Sequence, residues 1–105
     1  MQRHVELINH AVSVLTASPN VQRVYLFGSC ARGDESWSSD VDLLVVVDDS
    51  IVDTDIRLLS MSCIPDDSRT PELDIAVYRE STLATDTFFL QQARQDWRLL
   101  YENLL

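Results

Sequence analysis

In the stretch YLFGSCARGDESWSSDVDLLVVV, residues 25–47, a turn with two glycines joins two apolar runs, and this arrangement is the strongest indication of the fold. The first run ends at Phe27, Gly28 and Ser29 follow at once, and ten residues separate Ser29 from Asp40. The runs 21–27 and 41–47 are rich in β-branched and aromatic residues and too short to form helices of their own. We therefore predict two buried strands joined by this turn.

Glycine occurs only twice in the chain, as Gly28 and Gly33, and both lie in this turn. A glycine directly after a strand lets the backbone approach a ligand closely or adopt dihedral angles closed to other residues. A helical turn after it would direct backbone N–H groups and the Ser29 hydroxyl at an anion, with phosphate as the natural candidate. A tight turn without a ligand is the alternative.

Two acidic residues stand at the head of the second run. Side chains alternate along a strand, so Asp40 and Asp42 share one face with Cα atoms roughly 6.5–7 Å apart. Carboxylates there are costly unless they are solvated, paired or metal-bound. Asp74, in a third apolar run, would join them if the two strands are neighbours. Three facing carboxylates favour Mg²⁺ bound with substrate phosphates, and ordinary surface acids are the alternative.

The remaining sequence surrounds these strands with helices. The periodicity predicts a first helix over Gln2–Ala17, with a buried face made by Val5, Ile8, Ala11, Val12 and Leu15. Ser50 followed by Asp53 has the form of a helix start, and Thr85 or Asp86 is a candidate cap for a later helix. Further expectations are a helix end at Pro65, an exposed loop over Pro65–Pro71, a third strand over Leu73–Tyr78, and a strand or helical continuation over Trp97–Tyr101. We predict a single domain over residues 1–105 with an α/β (α+β) fold, a small mixed sheet with helices packed on one face.

Charge restricts the partners. Seventeen acidic residues against eight arginines and no lysine give a net charge of -9, which favours a basic protein partner over nucleic acid. The spacing of Cys30 and Cys63 suggests free thiols, and no run approaches a membrane span, so we expect a cytoplasmic protein. His4 and His10 are predicted to be surface or partly packed residues.

The motif Gly28-Ser29-Cys30-Ala31-Arg32-Gly33, followed by Ser39-Asp40-Val41-Asp42-Leu43, resembles the signature of the DNA polymerase β-like nucleotidyltransferases. It has the form common in the minimal members of that superfamily, and Asp74 falls where the third acid is expected. The resemblance extends over most of the chain. It implies a polymerase β-like fold and a role as the antitoxin partner of a HEPN-type toxin in a type VII-like pair, with AMP transferred from ATP to a hydroxyl, a tyrosine in related members.

The resemblance also implies roles for individual residues. Asp40 and Asp42 would bind two Mg²⁺ ions that hold the triphosphate, and Asp74 would complete the metal site opposite the attacking hydroxyl, with a possible role as its general base. Gly28 and Ser29 would contact the outer phosphates. Arg32 would lie near the triphosphate unless it pairs with Asp34 or Glu35, and Ser39 belongs to the same nucleotide site. A small-molecule acceptor, or neutralisation by binding alone, are the alternatives to a protein acceptor. Trp37 would either stack on a base or cover the edge of the core.

Overall fold

The computed structural model describes residues 2–34, 36, 39–63 and 72–104, with side chains from His4 onward. Trp37, Glu35 and the predicted loop at Pro65–Pro71 lie outside these residues. The elements in chain order are α1 (Gln2–Thr16), β1 (Val21–Phe27), α2 (Ser29–Arg32), β2 (Val41–Val47), α3 (Asp53–Ser62), β3 (Leu73–Arg79), α4 (Glu80–Thr85), α5 (Thr87–Arg94) and β4 (Arg98–Glu102).

The four strands form one mixed sheet in the order β3-β2-β1-β4. β1 is antiparallel to both β2 and β4, whereas β2 and β3 are parallel. A parallel pair needs a crossover connection, and α3 lies on that connection. In the edge strand β4 the register shifts between the pairs Val24–Tyr101 and Tyr25–Leu99, so Leu100 forms a bulge. The predicted α+β class with a mixed sheet is confirmed.

Helices cover both faces of the sheet, and the prediction that they pack on one face was wrong. Leu43 and Val45 of β2 belong to the core under α1 and α3, while Leu44 and Val46 belong to a second core under α4 and α5. The physical reason lies in β2, where five consecutive residues, Leu43 to Val47, are fully buried. A strand that is apolar on both faces must be covered on both.

The buried stripe of α1 is rotated from the predicted one. Val5 is 53% exposed, whereas Leu7, Ala11 and Leu15 are buried. His4 falls on this stripe and is only 2% exposed, so the expectation of a surface or partly packed residue was wrong for it. His10 is exposed. The helix turns its first-turn histidine inward because it packs against the segment that precedes β2.

The other helices differ from prediction mainly at their starts. α3 begins at Asp53 without a side-chain cap, because Asp48 accepts hydrogen bonds from both the amide and the hydroxyl of Ser50. α4 was not predicted, since Glu80–Thr85 has only one buried apolar residue, Leu83. Asp86, one of the two predicted caps, accepts a hydrogen bond from the Phe89 amide at the start of α5. The sequence left open whether Trp97–Tyr101 is a strand or a helical continuation, and the structure has strand β4 there.

Both cysteines are buried free thiols, as predicted. Burial raises the pKa of Cys63 to about 11, so this thiol stays protonated. In the part of the chain that the structure describes, no helix has the length and apolar character needed to cross a membrane.

Candidate functional site

The turn after β1 places Gly28 against the side chain of Asp42. Gly28 has φ +76° and ψ −155°, a conformation that side chains essentially exclude. A Cβ at this position would collide with Asp42 Oδ2 and would lie 3.3 Å from its Cγ. The absence of a side chain therefore serves two purposes, the backbone conformation and the close approach of a carboxylate. Gly33 ends α2 in the left-handed conformation, and no atom of the described residues other than its chain neighbours lies within 4 Å of its own Cβ position.

Asp42 and Asp74 lie side by side across the parallel strands β2 and β3. The two residues are register partners, and the charge of Asp74 acts on the Asp42 carboxylate. Asp42 is half-buried and Asp74 is exposed, so the pair opens to solvent on the Asp74 side. On the other side, Phe27 is the β1 register partner of Asp42. The sequence predicted that Asp74 would join the acids of the second run only if the two strands were neighbours. They are neighbours, and Asp42 and Asp74 lie together.

Asp42 lies in an environment that disfavours its charge. Burial, then the neighbouring charges of Asp74 and Asp40, raise its pKa to about 6. Arg32 acts in the opposite direction and lowers that pKa. Four of the predicted site residues, Arg32, Asp40, Asp42 and Asp74, are thus close enough to interact electrostatically.

The peptide groups on both sides of Asp40 are fixed by other elements. His4 Nε2 lies 2.7 Å from the Ser39 carbonyl oxygen, and Cys30 Sγ lies 3.5 Å from the Asp40 carbonyl oxygen. The next residue, Val41, donates its amide to the Glu72 carbonyl at 2.9 Å. Ser39, a predicted nucleotide contact, takes part in the preceding turn, where its hydroxyl accepts from the Ser36 amide at 2.9 Å.

Arg32 forms two ion pairs at the surface. Its Nε donates to Asp34 at 3.1 Å and its Nη1 donates to Asp96 at 2.9 Å. Sequence analysis named an ion pair with Asp34 as the alternative to a position of Arg32 near the triphosphate. Ser29, the first residue of α2, is half-buried between Gly28 and Cys30, and its carbonyl accepts from the amides of Gly33 and Asp34.

The chemistry of these side chains fits Mg²⁺. Asp42 is half-buried beside the negative charges of Asp74 and Asp40, an arrangement that a bound cation would stabilise, and hard oxygen ligands are those Mg²⁺ prefers. Within the described residues, no group of three or more His, Cys, Asp or Glu side chains is arranged to hold a metal ion. Mg²⁺ does not need such a cage, because it is usually bound by one or two carboxylates together with water and substrate phosphates.

Sequence reasoning missed three residues around the acids. His4 was predicted to be a surface or partly packed residue, Cys30 was predicted only to be a free thiol, and Asp96 was not singled out. A signal for His4 was present, since it stands three, seven and eleven residues before Leu7, Ala11 and Leu15, on one helical stripe. No local signal connects Asp96 to Arg32, because the two are 64 residues apart in sequence.

The fold and the acidic pair define a nucleotidyltransferase domain. The family model described as Polymerase beta, Nucleotidyltransferase matches residues 9–103, and the chain belongs to that family. The match includes the turn at Gly28, the acids of β2 and Asp74. No match to the chain was found among curated proteins.

Solved structures share this fold at low sequence identity. A proposed nucleotidyltransferase of Sulfolobus solfataricus is 23% identical with a TM-score of 0.64, over 99% of this chain and 92% of its own. The spectinomycin adenyltransferase AAD(9) of Enterococcus faecialis, solved with ATP and spectinomycin, is 19% identical with a TM-score of 0.76, over 96% and 57%. A complex of the tri-AMPylated HEPN toxin of Shewanella oneidensis with an MNT antitoxin gives 18% identity and a TM-score of 0.56, over 97% and 71%.

Proposed function

We propose that this protein transfers AMP from ATP to a hydroxyl group of a HEPN-type protein, with a tyrosine side chain as the acceptor, and thereby acts as its antitoxin. The observation that carries the proposal is the pairing of Asp42 with Asp74 beside the Gly28 turn, in a chain of the nucleotidyltransferase family. We further propose that residues 1–105 act as one catalytic domain. With ATP as donor and free thiols at Cys30 and Cys63, the activity belongs in the cytoplasm.

Asp40 and Asp42 would hold the Mg²⁺ ions, and Asp74 would complete the metal site. Bound Mg²⁺ supplies positive charge that stabilises the charge developing on the phosphate oxygens. Gly28 presents backbone to the outer phosphates without a side chain in the way, Ser29 adds a hydroxyl, and Ser39 borders the same site. Arg32, whose planar guanidinium suits phosphate oxygens, supplies a positive charge near the acids.

Asp74 is the candidate general base because it is the exposed member of the acid pair. An acceptor hydroxyl that approaches from solvent reaches Asp74 before it reaches Asp42. The hydroxyl oxygen forms a bond to the α-phosphorus as its proton passes to the Asp74 carboxylate. The bond from the α-phosphorus to the bridging oxygen of the β-phosphate breaks, and pyrophosphate leaves.

A protein acceptor is favoured by the charge of the chain and by one of the solved complexes. The net charge of -9 suits a basic partner surface and disfavours nucleic acid as acceptor. The antitoxin in the Shewanella complex, with its AMPylated HEPN toxin, supports the same choice.

A small-molecule acceptor is the second candidate, because the adenyltransferase solved with spectinomycin has a TM-score of 0.76. This chain covers only 57% of that protein, however, so a large part of the other chain has no counterpart here. Neutralisation by binding alone is the third candidate. It differs from the others in requiring none of the three carboxylates.

The deciding experiment is intact-mass spectrometry of a HEPN-type protein encoded beside this chain, after incubation with ATP, Mg²⁺ and the wild-type protein. We expect adenylate-sized mass additions that disappear with Asp40→Asn and with Asp42→Asn. Asp55→Asn is the matched control, since Asp55 is an exposed acid on α3, which packs on the opposite face of the sheet. An unmodified partner that still binds tightly would support neutralisation by binding, and an unmodified partner that does not bind would favour a small-molecule acceptor.

A further inference from the structure

The segment that carries Asp40 is held from two sides by buried side chains outside it. His4, on α1, is 2% exposed and contacts the carbonyl of the peptide group before Asp40. Cys30, on α2, is 8% exposed and contacts the carbonyl of the peptide group after it. Asp40 itself precedes the first residue of β2, so the strand ladder does not fix its direction.

The histidine contact determines which ring nitrogen carries the proton. A carbonyl oxygen only accepts hydrogen bonds, so Nε2 must be the donor to Ser39. In the neutral ring Nδ1 is then an acceptor, and it is buried with no hydrogen-bond partner among the described residues. A buried acceptor without a partner destabilises the folded state. An apolar residue would therefore suit the core better, and the bond to Ser39 is what the histidine adds.

We propose that His4 is a positioning residue for the metal site: its Nε2–H fixes the Ser39 carbonyl and thereby the direction in which the Asp40 carboxylate faces Asp42. The inference rests on the proposed function, because it assigns a role toward a metal that Asp40 and Asp42 would share. Residues that orient metal ligands typically alter metal affinity when they are removed, without touching the metal. His4 reaches the site through the Ser39–Asp40 peptide group.

The test compares His4→Leu, which fills the space without a donor, with His4→Gln, which keeps a side-chain N–H donor. The first readout is the dissociation constant for Mn²⁺, measured by titration of the purified protein in the presence of a non-hydrolysable ATP analogue that supplies the substrate phosphates. The second is kcat and KM for AMP transfer. We expect His4→Leu to weaken Mn²⁺ binding by about tenfold and to lower kcat. His4→Gln should restore a substantial part of both.

Leu15→Ala is the matched control, because Leu15 is a fully buried residue of the same helix at the end away from His4. It should lower the thermal midpoint and leave the Mn²⁺ dissociation constant within about twofold of wild type. Unchanged Mn²⁺ affinity and kcat in His4→Leu would overturn the inference. Equal losses of affinity in His4→Leu and Leu15→Ala would also overturn it, by assigning His4 to stability alone.

Two further outcomes separate this inference from the proposed function. Wild-type protein that binds Mn²⁺ but transfers no AMP would refute the transfer and leave the His4 comparison to be decided by Mn²⁺ affinity. Wild-type protein without Mn²⁺ binding would overturn the positioning role together with the metal site. If His4→Leu does not fold, His4→Met, which also lacks a donor, takes its place against His4→Gln.

Discussion

Asp96 Oδ2 lies 2.9 Å from Nη1 of Arg32 and reaches it from the connection between α5 and β4. The hydrogen bond to Asp96, followed by that to Asp34, raises the pKa of the Arg32 guanidinium. Since Arg32 lowers the pKa of Asp42, the carboxylate of Asp96 helps to hold a cation beside the acidic pair. A residue near the end of the chain therefore takes part in the electrostatics of the turn near its beginning.

The first prediction concerns that ion pair. Asp96→Asn should raise the KM for ATP by about threefold and leave thermal stability nearly unchanged, because pairs at the surface contribute little to folding. Steady-state kinetics at several ATP concentrations would measure it. Asp53→Asn is the control, since it breaks the ion pair with Arg79 at 2.7 Å, at the end of β3 opposite to Asp74. Equal KM values for the two variants would contradict a role of Asp96 at the nucleotide.

The second prediction compares the two glycines. Gly28→Ala should abolish AMP transfer and lower the free energy of unfolding by about 2–3 kcal/mol, because it combines an excluded backbone conformation with a collision at Asp42. Gly33→Ala should lower the free energy of unfolding by about 1 kcal/mol, since its φ of +81° is strained for alanine but its Cβ would contact none of the described residues. Urea unfolding and transfer assays would distinguish them. Similar effects of both variants would contradict the contact between Gly28 and Asp42.

The third prediction concerns pH. The folded-state pKa of Asp42, about 6, lies above its ordinary value of 3.8, so the folded protein binds this proton more tightly than the unfolded chain. The contribution of Asp42 to the free energy of unfolding is therefore neutral below about pH 4 and becomes unfavourable as pH rises to about 6. Metal-free Asp42→Asn should be more stable than wild type at pH 7.5 by about 1–2 kcal/mol, a value reduced for partial exposure.

Thermal melts with a chelator at pH 4 and pH 7.5 would measure this difference, with Asp55→Asn as the control for a simple loss of negative charge. Mg²⁺ should then stabilise wild type at pH 7.5 and have a smaller effect on Asp42→Asn. A wild-type melting profile that rises from pH 4 to pH 7.5 relative to Asp42→Asn would reverse the sign argued here.

The fourth prediction concerns the start of α5. Asp86 accepts from the Phe89 amide at 3.1 Å and from the Tyr78 hydroxyl at 2.9 Å, so it joins the helix to β3. Asp86→Ala should lower the free energy of unfolding by about 1–2 kcal/mol, and Asp86→Asn by less, because it keeps a cap acceptor. Thr85→Ala, the neighbouring alternative from sequence, should be nearly neutral in the same urea titration.

The sequence was most informative where one stretch satisfies several constraints at once. β1 and β2 have the predicted bounds because each is a short, β-branched run ended by turn or polar residues. The closeness of Asp42 to Asp74 depended on strand order, and a strand order follows from long-range packing that no local pattern contains. The resemblance to the family implied that Asp42 and Asp74 lie together, whereas the residues alone predicted this only if β2 and β3 were neighbours.

The sequence was least informative where burial depends on a neighbouring element. His4 becomes a core residue because α1 packs against the Ser39–Asp40 segment, and hydropathy alone places a histidine at the surface. α4 and α5 cover the second face of the sheet. The alternation of Asp40 and Asp42 with apolar residues makes that face of β2 look polar in sequence, so a covering layer on it was not predicted. The contact of Asp96 with Arg32 joins the α5–β4 connection to the end of the short helix α2, and it leaves no periodic pattern in the sequence.

The bulge at Leu100 affects how this protein meets other chains. An outer strand with evenly spaced amides and carbonyls is a template on which a foreign strand can be added, and an extra residue disturbs that spacing. Extension of the sheet at β4 is thus disfavoured, both for self-association into fibres and for capture of an extended peptide. At this edge a partner is left to recognise side chains, and the negative charge of the chain then favours a partner with a basic surface.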